Sequence, residues 1–328
     1  MLEATLAERF TTLDDLPAYA QSRDAFLQAF TSPGAHDIVA AVETDVALVV
    51  AVLRLAGERH GATNGDIPSV AHAVNMLDGA ELEACARAIP VFDPLEGVLA
   101  VQPGLDLLRL HASAAKAVAE RLAEKAAWRE RDELVAATLL HDIGKLALPR
   151  AGEGGPEGRP ASTPEERVRA EREELGTDHA AAGAALARRW GLSERLAQAI
   201  EDHHEPGARG LAAMVRLADL LLHHAHGRPV ELEEVVTMSA AVGLGRDGLG
   251  SLLYDGAQPF SPGSPCPLSE REHEILRRLA TGGVYRQIAG ELGISSSTVR
   301  NHLHRIYVKL GTVDRAQAVL MATEQGWI

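Results

Sequence analysis

The sequence predicts an all-α protein built as one large and one small helical domain. Three observations carry this. Only 12 of the 328 residues are aromatic, while Ala, Leu, Glu and Arg fill long stretches; these residues favour helices, whereas aromatic and β-branched residues favour strands. No segment sustains the apolar–polar alternation of a strand or a paired hairpin. A stretch at 243–267 with six glycines and four prolines coincides with a change of charge, which marks a domain boundary.

Composition excludes several classes. With 46% hydrophobic and 24% charged residues the chain can bury a sizeable core and is neither disordered nor fibrous. The longest apolar run, Val46 to Leu53, is cut by Arg54, far short of the roughly 18 to 20 residues of a membrane helix. The opening MLEATLAERF carries acids where a secretory signal carries bases and a long apolar stretch. A cytoplasmic protein with no membrane partner is therefore expected. Cys85 and Cys266 form no CxxC and read as two reduced thiols.

Charge is uneven along the chain. Residues 266–328 hold 8 Lys+Arg and 6 Asp+Glu, a net of +2, while residues 1–265 hold 24 and 40, a net of −16. The acidic part does not attract a polyanion by charge. If nucleic acid is a partner, the tail is where charge allows it to bind.

Apolar spacing and composition predict helices over 45–54, 69–76, 107–127, 131–145, 178–190, 193–202 and 211–224. Residues 151–164 (AGEGGPEGRPASTP) cannot continue a helix and read as a loop inside the large domain. The glycines at 152–158 lack the preceding strand that a phosphate-binding loop needs. Domains at 1–242 and 268–328, joined by a linker at 243–267, complete the layout.

In the tail, Ile275, Leu276 and Leu279 mark one helix, Ile288, Ala289 and Leu292 a second, and Val299, Leu303, Ile306 and Leu310 a third. Gly293 and the following serines form the turn of a helix-turn-helix. The third helix, 296–310, has Arg300, Arg305 and Lys309 and no acid, and adds Asn301, His302 and His304. Arg and Asn suit base edges; Lys, Ser and helix ends suit phosphates. Arg300 and Asn301 are therefore placed near bases, and Ser297, His302 and Lys309 nearer the backbone. The segments LSEREHEIL, QIAGELGIS, STVRNHLHRIYVKL and RAQAV resemble the LuxR/GerE-type DNA-binding domain along its whole length. That resemblance implies a four-helix fold that binds DNA as a homodimer through a last helix near 314–325.

The large domain holds the chemistry. DELVAATLLHDIGKLAL is apolar on most faces around His141 and Asp142, which implies burial. A buried imidazole beside a buried carboxylate is costly unless hydrogen-bonded or bound to a cation. Neighbouring helical residues point about 100° apart, so further ligands must come from other helices. His111, His179, His203, His204 and Asp219 are available. His and carboxylate donors without cysteine suit Fe, Mn or Zn, and a carboxylate can bridge two ions. Such a pair would acidify a bound water and grip phosphoryl oxygens. Lys145, one turn past His141, could neutralise phosphate charge.

The order H…HD…H…HH…D, with HDxGK at its second step, resembles the HD superfamily of metal-dependent phosphohydrolases. The closest match is to the HDOD branch, over much of residues 22–225. The phrases TDVALVVAVLRLA, IPSVAHAVNMLDG, LLHDIGKLAL and GTDHAAAGAALARRWGLSERLAQAIEDHHEP carry that match. The resemblance implies one metal on His111, His141, Asp142 and Asp219, and a second on Asp142, His179, His203 and His204. Asp142 would bridge, and Lys145 would face the phosphate of a small phosphorylated ligand. His203–Glu205 is followed by PGARGL rather than the Asp-Gly-x-Gly-Tyr-Pro of the HD-GYP cyclic-dinucleotide phosphodiesterases, so that substrate is not implied. HDOD proteins commonly lack an intact ligand set and act as signalling or scaffold modules, whereas this chain keeps the set. His223, four residues beyond Asp219 on the same helical face, could be a ligand, with a solvated helix end the preferred reading. His36, His60 and His72 have no partners in sequence.

The resulting expectation is a transcription regulator in which a metal-binding domain senses or hydrolyses a phosphorylated small molecule and controls a DNA-binding domain. The alternatives are a phosphohydrolase whose tail dimerises or localises it, and a metal-free scaffold.

Overall fold

A computed structural model describes residues 13–30, 35–60, 67–92, 103–148, 163–225, 230–254, 266–280, 285–310, 318–319, 321–322 and 327–328. The chain divides into two compact units, with the division between Leu253 and Tyr254. Among the described residues, no helix is long and apolar enough to cross a membrane.

The first unit opens with a 3-10 turn (Leu13–Asp15), strand β1 (Ala18–Tyr19) and helices α1 (Ala20–Ala29), α2 (Ala35–Val42), α3 (Val46–His60), α4 (Val70–Met76) and α5 (Gly79–Ala88). Strand β2 (Val91–Phe92) pairs in parallel with β1. Among the described residues, this two-residue ribbon and a lone bridge between Ile67 and Leu192 depart from the all-helical expectation, both too short to show any alternation. Then follow α6 (Pro103–Lys125), α7 (Arg131–Leu140), a 3-10 turn (Ile143–Leu146), α8 (Pro164–Leu175), α9 (His179–Arg189), α10 (Glu194–Asp202), α11 (Gly210–Ala225), α12 (Leu232–Ala241) and α13 (Arg246–Tyr254).

The helices start where the sequence offers caps. Ser69 accepts from the His72 N–H, Asp178 from Ala181 and Ser193 from Leu196, at 3.1, 2.8 and 3.2 Å. Thr163 and Glu166 form a capping box at the start of α8, and Gly176, at φ 68°, ends it in the left-handed conformation. Three helices lack a polar face where they cross the core. Glu133 to Leu140 of α7 and Leu211 to Leu222 of α11 are buried without a break, as are seven residues between Val46 and Leu53 of α3. Helices apolar all round are core helices. His141 and Asp219 enter the centre of the unit on two of them.

The predicted single helix over 131–145 breaks at its HD pair. Helix α7 stops at Leu140, His141 is its C-cap, and Asp142, at φ −97° and ψ 1°, opens the 3-10 turn. Gly144 explains the break: a Cβ there would stand 2.0 Å from the His179 carbonyl oxygen and 2.5 Å from the Gly183 nitrogen. Only a glycine lets this turn lie directly against the start of α9. That contact brings His179 to Asp142.

The predicted linker at 243–267 is shorter than expected. Residues 246–254 form α13, with Leu249 and Leu252 one turn apart and buried in the core of the first unit together with Leu244. Gly248 and Gly250, which suggested a loop, are tolerated because Leu249 between them and Leu252 just beyond pack into the core. Residues 255–265 and residues 151–162 of the predicted loop lie outside the described residues.

In the second unit, α14 (Glu270–Ala280), α15 (Tyr285–Leu292) and α16 (Ser296–Leu310) enclose Ile275, Leu276, Leu279, Ile288, Ala289, Val299, Leu303, Ile306 and Leu310. Gly293 adopts φ 63° in the turn between α15 and α16, and Ser295 caps α16 by accepting from the Thr298 N–H at 3.1 Å. Of the expected last helix near 314–325, residues 318–319 and 321–322 are described, and they are helical.

Candidate metal centre and nucleic-acid interface

The seven residues singled out in the large domain come from five places in the chain and converge. Helix α6 supplies His111, the end of α7 His141, the 3-10 turn Asp142, the first turn of α9 His179, the end of α10 His203 and His204, and α11 Asp219. Asp142, His179, His203 and His204 offer donor atoms that all lie within 4.8 Å of one another, as do His111, His141 and Asp142. Asp142 divides its carboxylate between the two groups. Its Oδ2 lies 3.4 Å from His111 Nε2 and 3.7 Å from His141 Nε2, and its Oδ1 lies 3.3 Å from His179 Nε2. Asp219 Oδ1 stands 3.2 Å from His111 Nε2 and 3.8 Å from His141 Nε2.

The outward nitrogens fix how the rings present themselves. His141 Nδ1 donates to the Thr138 carbonyl at 2.7 Å and His203 Nδ1 to that of Ile200 at 2.6 Å. His179 Nδ1 donates to Glu171 Oε2 at 2.6 Å. With Nδ1 donating in each, Nε2 of the neutral ring carries the lone pair and faces inward, as metal-binding histidines require. His203 Nε2 is buried and meets no hydrogen-bond partner, and Asp219 Oδ1 is buried without one. Such orphaned acceptors are costly unless a cation takes them.

Electrostatics point the same way. Burial, reinforced by His141 and His179, holds His203 well below the ordinary imidazole value, and burial with His203, His179 and Arg216 does the same to His204. For Asp142, burial pushes the carboxyl up, but Lys145, His141, His111 and His179 outweigh it and leave it well below the usual carboxylate range. Burial is likewise outweighed at Asp219, by His223, His111 and His141. At His141, burial is overcome by Asp142 and Asp219, which raise it. Two ionised carboxylates beside two imidazoles held neutral, His203 and His204, form donor chemistry that a divalent ion uses. The residues present fit the metal that the HD motif implies.

Lys145 Nζ lies 2.5 Å from Asp142 Oδ2, so its ammonium rests on the carboxylate expected to bridge. The sequence reading also set one residue aside that the fold brings in. His223 Nε2 lies 3.3 Å from Asp219 Oδ1, and its ring stands edge-on to His111 with centroids 5.8 Å apart. The spacing of one helical turn from Asp219 was the signal for it. The side chains of His36 and His60 lie outside the described ones, and His72 is exposed.

In the second unit, the side chains of Ser297, Arg300, Asn301 and His304 lie outside the described ones. Arg305 is exposed, and His302 is half-buried with Nδ1 unpaired. Lys309 Nζ holds Glu272 Oε2 at 2.6 Å. That carboxylate also accepts from the Ser269 N–H at the start of α14, so Lys309 ties the recognition helix to the first helix of its own unit.

Comparison with known proteins gives both units a family. Residues 16–206 match the HDOD domain and residues 266–322 match bacterial regulatory proteins of the luxR family. The probable transcriptional regulatory protein NarL of Mycobacterium tuberculosis is 35% identical over 156 residues, covering 39% of this chain and 72% of the relative. The transcriptional regulatory protein DesR of Bacillus subtilis is 29% identical over 146 residues, covering 39% and 73%. Among solved structures, the MmoQ response regulator from Methylococcus capsulatus shares the fold at 23% identity and TM-score 0.53, over 74% of this chain and 99% of that one. A virulence factor from Campylobacter jejuni does so at 14% identity and TM-score 0.58, over 78% and 99%. The chain belongs to the HDOD domain family and joins that domain to a C-terminal helix-turn-helix of the luxR family of bacterial DNA-binding regulators.

Proposed function

We propose that this chain is a cytoplasmic, homodimeric transcription regulator whose HDOD domain holds one or two divalent ions, Fe, Mn or Zn, and senses or hydrolyses a small phosphorylated molecule, setting the DNA affinity of its luxR-type domain. The observation that carries the reading is the convergence of His111, His141, Asp142, His179, His203, His204 and Asp219 in a chain that also bears a recognition helix. His111, His141, Asp142 and Asp219 would hold one ion and Asp142, His179, His203 and His204 the other. A bound ion would supply an acidified water and a grip on phosphoryl oxygens.

The chain's own groups prepare that site. Thr138, Glu171 and Ile200 orient three rings through their outer nitrogens. Lys145 neutralises Asp142 when the site is not charged by an ion and is positioned to turn to a phosphate when it is. On the DNA side, Arg300 and Asn301 would read bases, with Ser297, His302 and Lys309 nearer the backbone and His304 and Arg305 as further DNA-binding candidates.

Fluorescence anisotropy on the chain's own promoter region tests this reading, with protein stripped of metal, reloaded, and given nucleotide phosphates. A salt-dependent, sequence-selective affinity that changes with loading or ligand supports it. Equal affinity in every state removes the sensor, because a ligand shifts an equilibrium only by its differential binding to two states. Turnover of a phosphate ester that Asp142→Ala abolishes, with DNA binding unchanged, would favour the phosphohydrolase. One observation favours the metal-free scaffold instead: His204 and His179 hydrogen-bond to each other through their Nε2 atoms at 3.0 Å. Full regulation by protein free of metal would establish that reading.

A further inference from the structure

We propose that His111, Asp219 and His223 form a cation position of their own at the outer edge of the histidine array, a two-histidine, one-carboxylate set for a readily exchanging divalent transition ion. The proposal rests on the reading above in one respect, that the array binds metal; none of the roles assigned there uses His223.

The geometry is compact. Asp219 and His223 lie one turn apart on α11, and His111 comes from α6, which packs against it. Both imidazoles bring Nε2 to the same oxygen, Asp219 Oδ1, at 3.2 Å from His111 and 3.3 Å from His223. Their rings stand at 87°, so they approach that oxygen from different directions. All three donor atoms lie within 4.8 Å of one another. An ion with bonds of about 2.0 to 2.2 Å separates neighbouring ligand atoms by about 3 Å or a little more, which these distances match. Asp219 Oδ1 is buried with no hydrogen-bond partner, an acceptor that a cation beside His111 and His223 would take.

Exposure distinguishes this position from the rest of the array. The side chains of His111 and His223 are 17% and 13% exposed, whereas His141 and His179 are 1% exposed. An ion held here meets solvent and keeps open coordination positions, the arrangement that suits Fe(II), Mn(II) or Zn(II) with water or a soluble ligand alongside. His111 has one inward nitrogen, so an ion held with His223 takes it from the set of His141 and Asp142. Occupancy of the outer position therefore competes with the inner one.

Metal-stripped full-length protein titrated with Co(II), followed by equilibrium dialysis and visible absorption, tests this with His223→Ala, His223→Gln and His203→Ala. Either His223 variant should bind the outer equivalent at least tenfold more weakly and show an altered cobalt spectrum, while His203→Ala retains that equivalent unchanged. If wild-type protein binds cobalt and both His223 variants match it in stoichiometry, affinity and spectrum, the outer position is overturned and the bridged pair is untouched. A single equivalent kept by His203→Ala and lost by the His223 variants leaves the outer position standing and removes the bridged pair. No cobalt bound by wild-type protein overturns both.

Discussion

Arg216 donates from Nη1 to His204 Nδ1 at 3.0 Å. A guanidinium only donates, so this nitrogen of His204 is an acceptor and the proton of the neutral ring sits on Nε2. That nitrogen lies 3.0 Å from His179 Nε2, whose own proton goes from Nδ1 to Glu171. The four side chains form a directed chain, Arg216 to His204 to His179 to Glu171. In this state His204 gives a proton to the centre where a ligand would give a lone pair. Loading the second ion requires His204 to shift its proton and give up Arg216. Arg216 is also anchored by Glu234 of α12 at 2.8 Å and by Glu165 of α8, so both helices are tied to that exchange.

Replacing Arg216 with Met should destabilise the first unit by roughly 1 to 3 kcal/mol, because Glu165, Glu234 and His204 lose a charged hydrogen-bond donor while the two glutamates, 38% and 26% exposed, keep access to water. Urea denaturation measures this. A midpoint equal to that of the wild type would mean that the two glutamates turn to water at no cost.

Gly144→Ala should cost on the order of 3 kcal/mol, at the upper end for overpacking, because its Cβ would meet backbone rather than a flexible side chain. The start of α9 should shift away from Asp142, weakening metal binding as well. Thermal unfolding and metal content read the two effects. A variant with wild-type values in both would show that the contact of turn and helix does not position His179.

Acid should loosen the metal-free domain. His203 and His204 are held neutral in the fold, so their contribution is whole above the ordinary imidazole value of about 6.5 and is lost as pH falls through it towards the folded values. His141, raised in the fold, has the opposite sign: its contribution is whole below about 6.5 and is lost as pH rises through its folded value. Asp142 and Asp219 keep their contribution until pH falls below about 4. The denaturation midpoint should therefore fall between pH 6.5 and pH 5, where His203 and His204 lose their contribution while His141 keeps its own, and a midpoint at pH 5 equal to or above that at pH 6.5 would contradict it.

Lys309→Ala should lower the stability of the luxR-type unit, because it strands the Glu272 carboxylate, whose side chain is 4% exposed. Arg300→Ala should leave stability alone and cost about 1 to 3 kcal/mol of discrimination at one base. Calorimetry paired with anisotropy on matched and mismatched operators separates them. Equal stability loss in both variants would break the distinction.

Local patterns in the sequence went a long way. Ser69, Asp178 and Ser193 cap helices because capping needs only a short polar side chain beside the first turn. The cores of α14, α15 and α16 were legible from spacing alone, since each helix buries one stripe. Other features escaped. The helix break at His141 was hidden because Ile143 and Leu146 continue an apolar helical pattern, and the cause, contact of Gly144 with α9, is long-range. The helix at 246–254 was hidden by glycines whose neighbours pack.

The order and kind of the metal-binding candidates were decided by the chain itself, because histidines and aspartates on apolar helices must be buried and buried polar groups must find partners. Which partners they find was decided only by the tertiary structure. Whether His204 presents a lone pair or a proton depends on Arg216, twelve residues away, and whether His223 joins the array depends on α6 lying against α11. Distances of about 3 Å between side chains on different helices are set by packing, and no spacing along one chain encodes them.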